Sequence, residues 1–295
     1  MTTPAVRDRI AAAPISWGVC EVPGWGHQLA PEQVLREMRD LGVAATEFGP
    51  EGFLPDEPIA KASLLAAYQL KSVGGFVPTV LHDPGHDPLP EVDRALDGFV
   101  AAGAGVLVLA AATGQQGYDT RPTLDETGWK TLLGNADRLA RHAEDRGVRA
   151  TLHPHVGTMI ENHAEVRRVL DGSDVPLCLD TGHLLIGGTD PAELTREAAD
   201  RIAHTHLKDV DAGLAGRVQA REVAYTDAVR DGVYQPLGQG DIDIAGIIAA
   251  LEDSGYTGWY VMEQDTILAE PPAGDDDGGP AQDVRASIEY LRGLA

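Results

Sequence analysis

Residues 177–207 read LCLDTGHLLIGGTDPAELTREAADRIAHTHL. The apolar residues 177–179 predict one buried strand, and the apolar residues 202–207 predict a second. Between them, Asp190 and Pro191 are typical of a helix start, so a helix is expected to follow. A strand, a helix and another strand in this order are typical of a β-α-β unit with parallel strands.

The same alternation of short apolar runs and amphipathic stretches continues along the whole chain. The predicted strands are residues 13–16, 44–48, 72–80, 105–110, 149–153, 177–179, 202–207 and 259–262. Helix signals lie between them, for example Pro31 followed by an apolar stripe that includes Val34 and Leu35. Eight strands with intervening helices predict an α/β fold, a single (β/α)8 TIM barrel over residues 1–295. An open, doubly wound sheet is the alternative, and it is disfavoured because no GxGxxG motif follows the first strand.

Two segments depart from the regular barrel pattern, residues 212–234 and residues 266–280. Both are predicted to be loops that decorate the barrel. The second contains the acidic run 275–277. We interpret this run as part of a solvated loop, because it lacks the spaced ligands of a calcium-binding loop.

Charge and cysteine content restrict the partners and the compartment. The chain has 23 Lys and Arg residues against 46 Asp and Glu residues, and its formal net charge of -23 repels phosphate backbones and anionic lipid. We therefore expect neither nucleic acid nor a membrane as a partner. The N-terminal stretch lacks a secretory apolar region, and Cys20 and Cys178 form no paired motif. These features predict a cytoplasmic protein without a disulfide scaffold.

Polar side chains that can bind a metal follow the predicted strands. The C-terminal ends of the strands of a parallel barrel meet at one mouth, where functional residues lie. At these ends the sequence places Glu47, His82, Asp83, His153, His155, Asp180, His183, His204, His206, Lys208, Asp209, Glu263, Gln264 and Asp265. Carboxylates and imidazoles that converge from several strands are typical ligands of a divalent cation. Asp180, His206 and Glu263, at three successive strand ends, are the strongest candidates.

Five motifs occur in order along the chain: HPHVGTMIE at 153–161, LCLDTGHLLIGGTDP at 177–191, IAHTHLKDV at 202–210, PLGQGDIDI at 236–244 and GWYVMEQD at 258–265. They resemble motifs of the xylose isomerase-like TIM barrels, a superfamily of sugar isomerases, epimerases and inosose dehydratases. Residues 15–55, which begin ISWGVCEVPGWGHQ, are similar to the opening of the myo-inosose dehydratase branch. The resemblance covers nearly the whole chain.

The resemblance implies a metal site at the barrel mouth. The family's metal shell is typically Glu, Asp, His and Glu, which by position implies Asp180, His206 and Glu263 here. Where many relatives have Glu after the fifth strand, this chain has His153, so we expect Glu161 to be the fourth ligand, with His153 as the alternative. The expected cofactor is a divalent metal ion, Mn²⁺ or Co²⁺ first, with Mg²⁺ or Zn²⁺ as alternatives.

Other polar residues are expected to face the substrate. His153 and His155 are predicted to lie on the substrate side of the metal or just behind it, and family resemblance favours a substrate contact for His183. Lys208 lies two residues beyond His206, on the same face of an extended strand, and can reach the same cavity. Its alternative is a surface lysine paired with Asp209.

The remaining candidates come from the first strands. Glu47 is a candidate to hydrogen-bond substrate hydroxyls or to act as a base. Trp17 and Trp25 are candidates for an apolar wall. With His153, His155, His183 and Lys208, Glu47 completes the predicted catalytic set.

The chemistry of such a site narrows the reaction. A metal bound by carboxylates and histidine acts as a Lewis acid on a ketone and its adjacent hydroxyl, which favours removal of a carbon-bound proton and an enediolate intermediate. Loss of a β-hydroxyl from this intermediate gives a dehydratase, and reprotonation gives a sugar epimerase or isomerase. Similarity of the N-terminal third favours a dehydratase of an inosose-like cyclic keto-polyol.

Two other functions stay open at this point, a metal-dependent keto-sugar epimerase or isomerase and a non-catalytic sugar-binding barrel. The expected partner is a small polyol or keto-sugar. A phosphorylated substrate is less favoured, because Lys208 is the one obvious cation near the cavity. Assembly into a homo-oligomer is a further expectation.

Overall fold

The computed structural model describes residues 4–272 and 279–294, so the acidic run 275–277 lies outside the described residues. Within these ranges the main sheet has nine parallel strands, and a short antiparallel pair follows one of them. The parallel strands are β1 (Ile10–Ala12), β2 (Ala45–Thr46), β3 (Lys71–Ser72), β4 (Gly74–Thr79), β5 (Val106–Ala111), β6 (Arg149–Leu152), β7 (Leu177–Asp180), β8 (Ile202–Leu207) and β11 (Tyr260–Met262), and the antiparallel pair is β9 (Asp209–Val210) and β10 (Tyr234–Gln235).

The parallel strands close into an eight-stranded barrel, because β3 and β4 are two parts of one strand. The strand order is β3-β2-β1-β11-β8-β7-β6-β5-β4, with β3 and β4 at its two ends. Val73, which separates them, bonds to both neighbouring strands: its amide donates to the carbonyl of Thr46, and its carbonyl accepts from the amides of Gly105 and Val106. The predicted (β/α)8 barrel is confirmed.

The first strand lies earlier than the sequence pattern predicts. The prediction of a strand at 13–16 was wrong, since Pro14–Trp17 form a 3-10 helix and β1 is Ile10–Ala12. The physical reason is Pro14, which has no amide to donate to a strand ladder. The other seven predicted strands each overlap an observed parallel strand.

Helices alternate with the strands around the barrel. They are α1 (Pro31–Asp40), α2 (Pro58–Ala67), α3 (Leu89–Ala102), α4 (Glu126–Asp145), α5 (His163–Gly172), α6 (Thr181–Ile186), α7 (Pro191–Ala198), α8 (Ala212–Gln219), α9 (Tyr225–Arg230), α10 (Ile244–Asp253) and α11 (Pro280–Gly293). As predicted, Pro31 occupies the first turn of α1, and Val34 and Leu35 are buried. None of the helices in the described ranges combines the length and the apolarity that crossing a lipid bilayer requires.

Residues 212–234 carry α8 and α9 and lead into β10, which pairs with β9 directly after Lys208. The buried Asp209 anchors the next loop, because its carboxylate accepts the amides of Gly238, Gly240 and Ile242. A carboxylate that accepts several backbone amides is held firmly in place. This anchor holds residues 238–242, which follow the decorating segment, against β9.

Candidate active site

Four ligand atoms from four neighbouring strands converge at the barrel mouth. They belong to His153 after β6, Asp180 at the end of β7, His206 in β8 and Glu263 after β11, and they lie within 4.8 Å of one another. Nε2 of His153 is 3.2 Å from Oδ2 of Asp180. Nδ1 of His206 is 2.8 Å from Oε2 of Glu263 and 3.7 Å from Oδ2 of Asp180. These four residues are called the ligand group below.

The ligand group has the chemistry of a divalent metal site. Nδ1 of His206 is buried and has no hydrogen-bond partner among the described residues, although a carboxylate oxygen lies 2.8 Å away. A nitrogen that faces carboxylates without a hydrogen bond to them is expected where ligands share a cation. Two imidazoles and two carboxylates supply the mixed nitrogen and oxygen donors that divalent transition metals accept. The residues present therefore fit a metal ion.

Glu47 holds the imidazole of His206 from behind. Its Oε1 lies 2.9 Å from Nε2 of His206 and 2.8 Å from Nε2 of His204. When Nε2 donates to this carboxylate, Nδ1 is left as a lone pair that faces the ligand group. Burial alone would raise the pKa of Glu47, but His206 and His204 hold that pKa well below its ordinary value. Glu47 therefore lines the cavity as a carboxylate already shared by two imidazoles.

The buried thiol of Cys178 lies beside the ligand group. Its sulfur is within 4.8 Å of ring nitrogens of His153 and His206. Burial raises the pKa of Cys178 to about 12, which keeps the thiol protonated near neutral pH. The carboxylates of Asp180 and Glu263 add two donors to the two imidazoles, whereas Cys178 adds one, so the four-residue group offers the larger set of ligands.

Lys208 lies against three carboxylates at the edge of the ligand group. Its Nζ is 2.9 Å from Oε2 of Glu263 and 3.7 Å from Oδ2 of Asp180, and it contacts Oδ1 of Asp265. Burial alone would lower the pKa of Lys208, but Asp265, Glu263 and Asp180 raise it well above its ordinary value. Lys208 is 1% exposed, so the alternative of a surface lysine paired with Asp209 is wrong.

His155 and His183 stack on each other in the cavity, with ring centroids 3.7 Å apart. Nδ1 of His155 donates to the carbonyl oxygen of Val156 at 2.6 Å, which leaves Nε2 as an acceptor. Nδ1 of His183 accepts from the amide of Val156, and the hydroxyl of Tyr234 lies 3.4 Å away. Burial lowers the pKa of His155 to about 3 and holds the pKa of His183 well below its ordinary value. Both rings are therefore neutral.

The cavity beside these groups has space for a small molecule. About 80 Å³ of it is open to the centre of a water-sized sphere, and its empty volume is about 650 Å³ when the part open to solvent is included. Its wall also includes Ile15, Val19, Cys20, Glu21, Trp25, Phe76, Tyr118, Tyr225 and Asp265. Trp25 thus lies in the wall, whereas Nε1 of Trp17 donates to Glu37 in α1.

Glu161, the expected fourth ligand, and the strand-end residues His82 and Asp83 lie outside the ligand group. The carboxylate of Glu161 accepts the amide of Gly157 at 2.6 Å and lies 3.2 Å from Nε of Arg121. His153, the alternative named from the sequence, occupies the fourth position of the group instead. His82 and Asp83 line a separate surface pocket.

Sequence reasoning missed several polar groups of the cavity wall. The sequence pattern predicts Asp265 only as a strand-end residue, and it predicts no tyrosine in the site. Tyr118 donates to Oε1 of Glu21 at 2.5 Å, and its ring centroid lies 4.4 Å from that of His155. Tyr225 donates to Oδ2 of Asp265 at 2.6 Å. The available signal was the departure of residues 212–234 from the barrel pattern, since such segments decorate the mouth where active sites lie.

The sequence profile of the xylose isomerase-like TIM barrel family matches residues 35–294. The chain is 32% identical over 278 residues to an inosose dehydratase of Geobacillus kaustophilus, covering 89% of this chain and 90% of that protein. It is 31% identical over 282 residues to an inosose dehydratase of Lacticaseibacillus casei, covering 90% and 92%. The chain therefore belongs to the xylose isomerase-like TIM barrel family.

Solved structures share the barrel at lower identity. An L-ribulose 3-epimerase superimposes with a TM-score of 0.68 at 16% identity, covering 97% of this chain and 94% of the other. The IOLI protein with a bound zinc atom gives 0.68 at 16% identity and covers 97% of each chain. At this identity these two structures establish the fold alone. The relatives named inosose dehydratase agree with the expected enzyme class, a sugar-modifying lyase.

Proposed function

We propose that this chain is a metal-dependent dehydratase of an inosose-like cyclic keto-polyol. The observation that carries the proposal is the convergence of His153, Asp180, His206 and Glu263 beside the Lys208 ammonium at the cavity. The relatives named inosose dehydratase, which align over nearly the whole length of both chains, support this reaction over others of the family.

The ligand group would hold the metal through Nε2 of His153, Oδ2 of Asp180, Nδ1 of His206 and Oε2 of Glu263. We propose His153 rather than Glu161 as the fourth ligand, because Glu161 is paired with Arg121. Mixed nitrogen and oxygen donors favour Mn²⁺, Co²⁺ or Zn²⁺ over Mg²⁺, which prefers oxygen ligands. When bound, such an ion supplies Lewis acidity to the ketone and its adjacent hydroxyl.

The charges of the cavity wall support an uncharged substrate. Glu21, Glu263 and Asp265 face the cavity, and Lys208 is the one Lys or Arg side chain among its described lining residues. This lysine is already surrounded by carboxylates. A substrate phosphate would meet carboxylates without a free cation to balance them. A neutral polyol, by contrast, can donate its hydroxyl hydrogens to these same oxygens.

The tautomers and charges suggest which groups move protons. A dehydratase needs a base for the carbon-bound proton and an acid that protonates the departing hydroxyl. We assign the base to Nε2 of His155, because Nδ1 of that ring already donates to Val156. We assign the acid to Lys208, the protonated side chain of the wall. Water then leaves with the Lys208 proton, and the proton gained by His155 returns to Lys208 to complete the cycle.

Proton NMR in deuterated buffer tests this function directly. Metal-stripped protein is reloaded with Mn²⁺, Co²⁺ or Zn²⁺ and incubated with several inososes and free ketoses, with chelator-treated protein as the control. We expect an inosose to lose water and form a diketone or its enol only in the metal-loaded samples. Epimerised product without water loss would instead assign the chain to the epimerases.

A further inference from the structure

The segment 212–234 carries two buried tyrosines to the edge of the ligand group. Tyr225 donates to Oδ2 of Asp265 at 2.6 Å, and the hydroxyls of Tyr225 and Tyr234 lie 3.0 Å apart. The centroid of the Tyr234 ring is 5.3 Å from Nζ of Lys208. Buried tyrosine hydroxyls need partners, and here the partner is a carboxylate that contacts Lys208. Both tyrosines therefore lie close to the Lys208 ammonium, Tyr225 through its hydrogen bond to Asp265 and Tyr234 through its ring.

Gly182 in α6 packs closely against Lys208 and Tyr234. A Cβ at Gly182 would lie 2.7 Å from Cβ of Lys208 and 2.8 Å from Cε1 of Tyr234. No side chain larger than glycine fits between α6 and these two residues without a shift of one of them. Lys208 and Tyr234 therefore both pack against Gly182, beside the ligand group.

The Lys208 ammonium competes with a metal ion for the same oxygens. It lies 2.9 Å from Oε2 of Glu263, the atom that also faces Nδ1 of His206, and 3.7 Å from Oδ2 of Asp180. A cation paired with these oxygens lowers their attraction for a second cation. Asp265 is the one carboxylate around Lys208 that lies outside the ligand group. The attraction between Asp265 and the Lys208 ammonium therefore weakens the competition between this ammonium and a metal ion.

We propose that Tyr225 and Asp265 form a tether that draws the Lys208 ammonium toward Asp265 and so weakens its competition with a metal ion for the oxygens of Asp180 and Glu263. Tyr225 is a positioning residue in this arrangement, since its hydroxyl fixes one oxygen of Asp265 while the other contacts Lys208. The inference rests on the metal dependence in the proposed function. It makes the decorating segment part of the metal site, although that segment supplies no ligand.

Metal affinity measured without substrate tests the tether. Metal-stripped wild type, Tyr225→Phe and Asp265→Asn are titrated with Co²⁺ by calorimetry, and unfolding temperatures are recorded. Partners that orient a metal site change affinity by about 10–100-fold when removed, so we expect the dissociation constant to rise about tenfold for Tyr225→Phe and further for Asp265→Asn. Tyr256→Phe is the matched control, because this buried tyrosine donates to the carbonyl of Trp259, away from the cavity.

A double-mutant cycle with Lys208→Gln separates a tether from a general structural effect. If the tyrosine acts through the ammonium, Tyr225→Phe should leave Co²⁺ affinity unchanged within twofold in the Lys208→Gln background. An equal loss of affinity in both backgrounds would overturn the tether, as would a Tyr225→Phe protein that binds Co²⁺ like Tyr256→Phe.

The failure of the tether can be told apart from failure of the proposed function. Wild-type protein that binds no divalent cation would overturn both. Wild-type protein that binds Co²⁺ and dehydrates an inosose, with no effect of Tyr225→Phe on affinity, would overturn the tether alone.

Discussion

Among the described residues, two Lys and Arg side chains are buried, at opposite ends of the barrel, and their partners differ in kind. Arg9, just before β1, donates to the carbonyls of Pro4, Tyr256 and Gly258 and pairs with Glu252 at 2.5 Å. Lys208, just after β8, has only carboxylates around its Nζ among the acceptors described here. Arg9 links backbone segments through hydrogen bonds, and Lys208 compensates the negative charge of three carboxylates.

This difference leads us to expect a stabilising role for Arg9 and a functional role for Lys208. Backbone carbonyls around Arg9 have fixed positions, and no ligand can replace the donors they receive. Carboxylates around Lys208 can instead exchange the ammonium for a metal ion or a substrate hydroxyl. In barrels of this type the C-terminal mouth carries the chemistry, and the opposite face serves stability. The two cations therefore predict opposite results when each is removed.

The largest effect is expected from a ligand at the mouth. Asp180→Asn should lower turnover by at least about a thousandfold, because several kcal/mol of transition-state stabilisation disappear with the metal. The fold should persist, since the variant removes a buried charge. Elemental analysis measures the metal content of the purified variant, circular dichroism its fold, and steady-state kinetics its turnover. Full metal content in Asp180→Asn and Glu263→Gln would disprove the assignment of the ligand group.

Removal of each buried cation tests the comparison itself. Arg9→Met should lower the free energy of unfolding by about 3 kcal/mol, because carbonyls are left without donors and a pair is broken, while turnover stays within about twofold. Lys208→Met should lower turnover by about a hundredfold or more, as expected when a general acid is lost. Urea unfolding and kinetics on both variants provide the measurement. Equal loss of turnover in the two variants would break the comparison.

Glu47 sharpens the comparison between stabilising and functional charges. It is a buried carboxylate that is expected to orient His206 without belonging to the ligand group. Glu47→Gln should reduce metal affinity by about 10–100-fold, since a carboxylate behind a metal-bound histidine usually contributes this much. A Co²⁺ titration of the metal-stripped variant checks the value. Unchanged affinity together with lost turnover would return Glu47 to the substrate-contact role expected from the sequence.

The smallest effect at the mouth is expected from Glu161. Because its carboxylate accepts the amide of Gly157 and pairs with Arg121, Glu161→Gln should leave metal content unchanged and metal affinity within about threefold. His153→Ala is the matched comparison and should lose most of its metal. Elemental analysis of both proteins decides between the two candidates for the fourth ligand, and metal loss in Glu161→Gln alone would favour the sequence-based choice.

The barrel was readable from the sequence because apolar runs and helix signals repeat along the chain. Pro31 with its apolar stripe and the pair Asp190 and Pro191 predicted α1 and α7 correctly. The apolar pattern predicts a strand at residues 13–16 wrongly, because Pro14 cannot donate to a strand ladder. Asp180, His206 and Glu263 came together for the same regular reason, as residues at the ends of neighbouring parallel strands.

The sequence pattern could not predict distances that depend on the path of a loop. Glu161 is separated from its strand by a loop whose path depends on Gly157 and on Arg121 from a different loop. The segment 212–234 was expected as a decoration, but only the fold carries Tyr225 to within 2.6 Å of Asp265. Periodicity assigns a residue to one face of a helix or strand. It contains no information about which part of the barrel an irregular loop packs against.

By itself, the sequence determined the barrel, its family and three ligand candidates, because strand ends are local features that the parallel arrangement brings to one mouth. Tertiary structure decided that His153 faces Asp180, that Glu47 is shared by two imidazoles, and that Lys208 is held by three carboxylates. The physical reason is that a buried charge takes its properties from neighbours distant in sequence. Those neighbours are chosen by the packing of loops and strands, and a local pattern of residues does not record that choice.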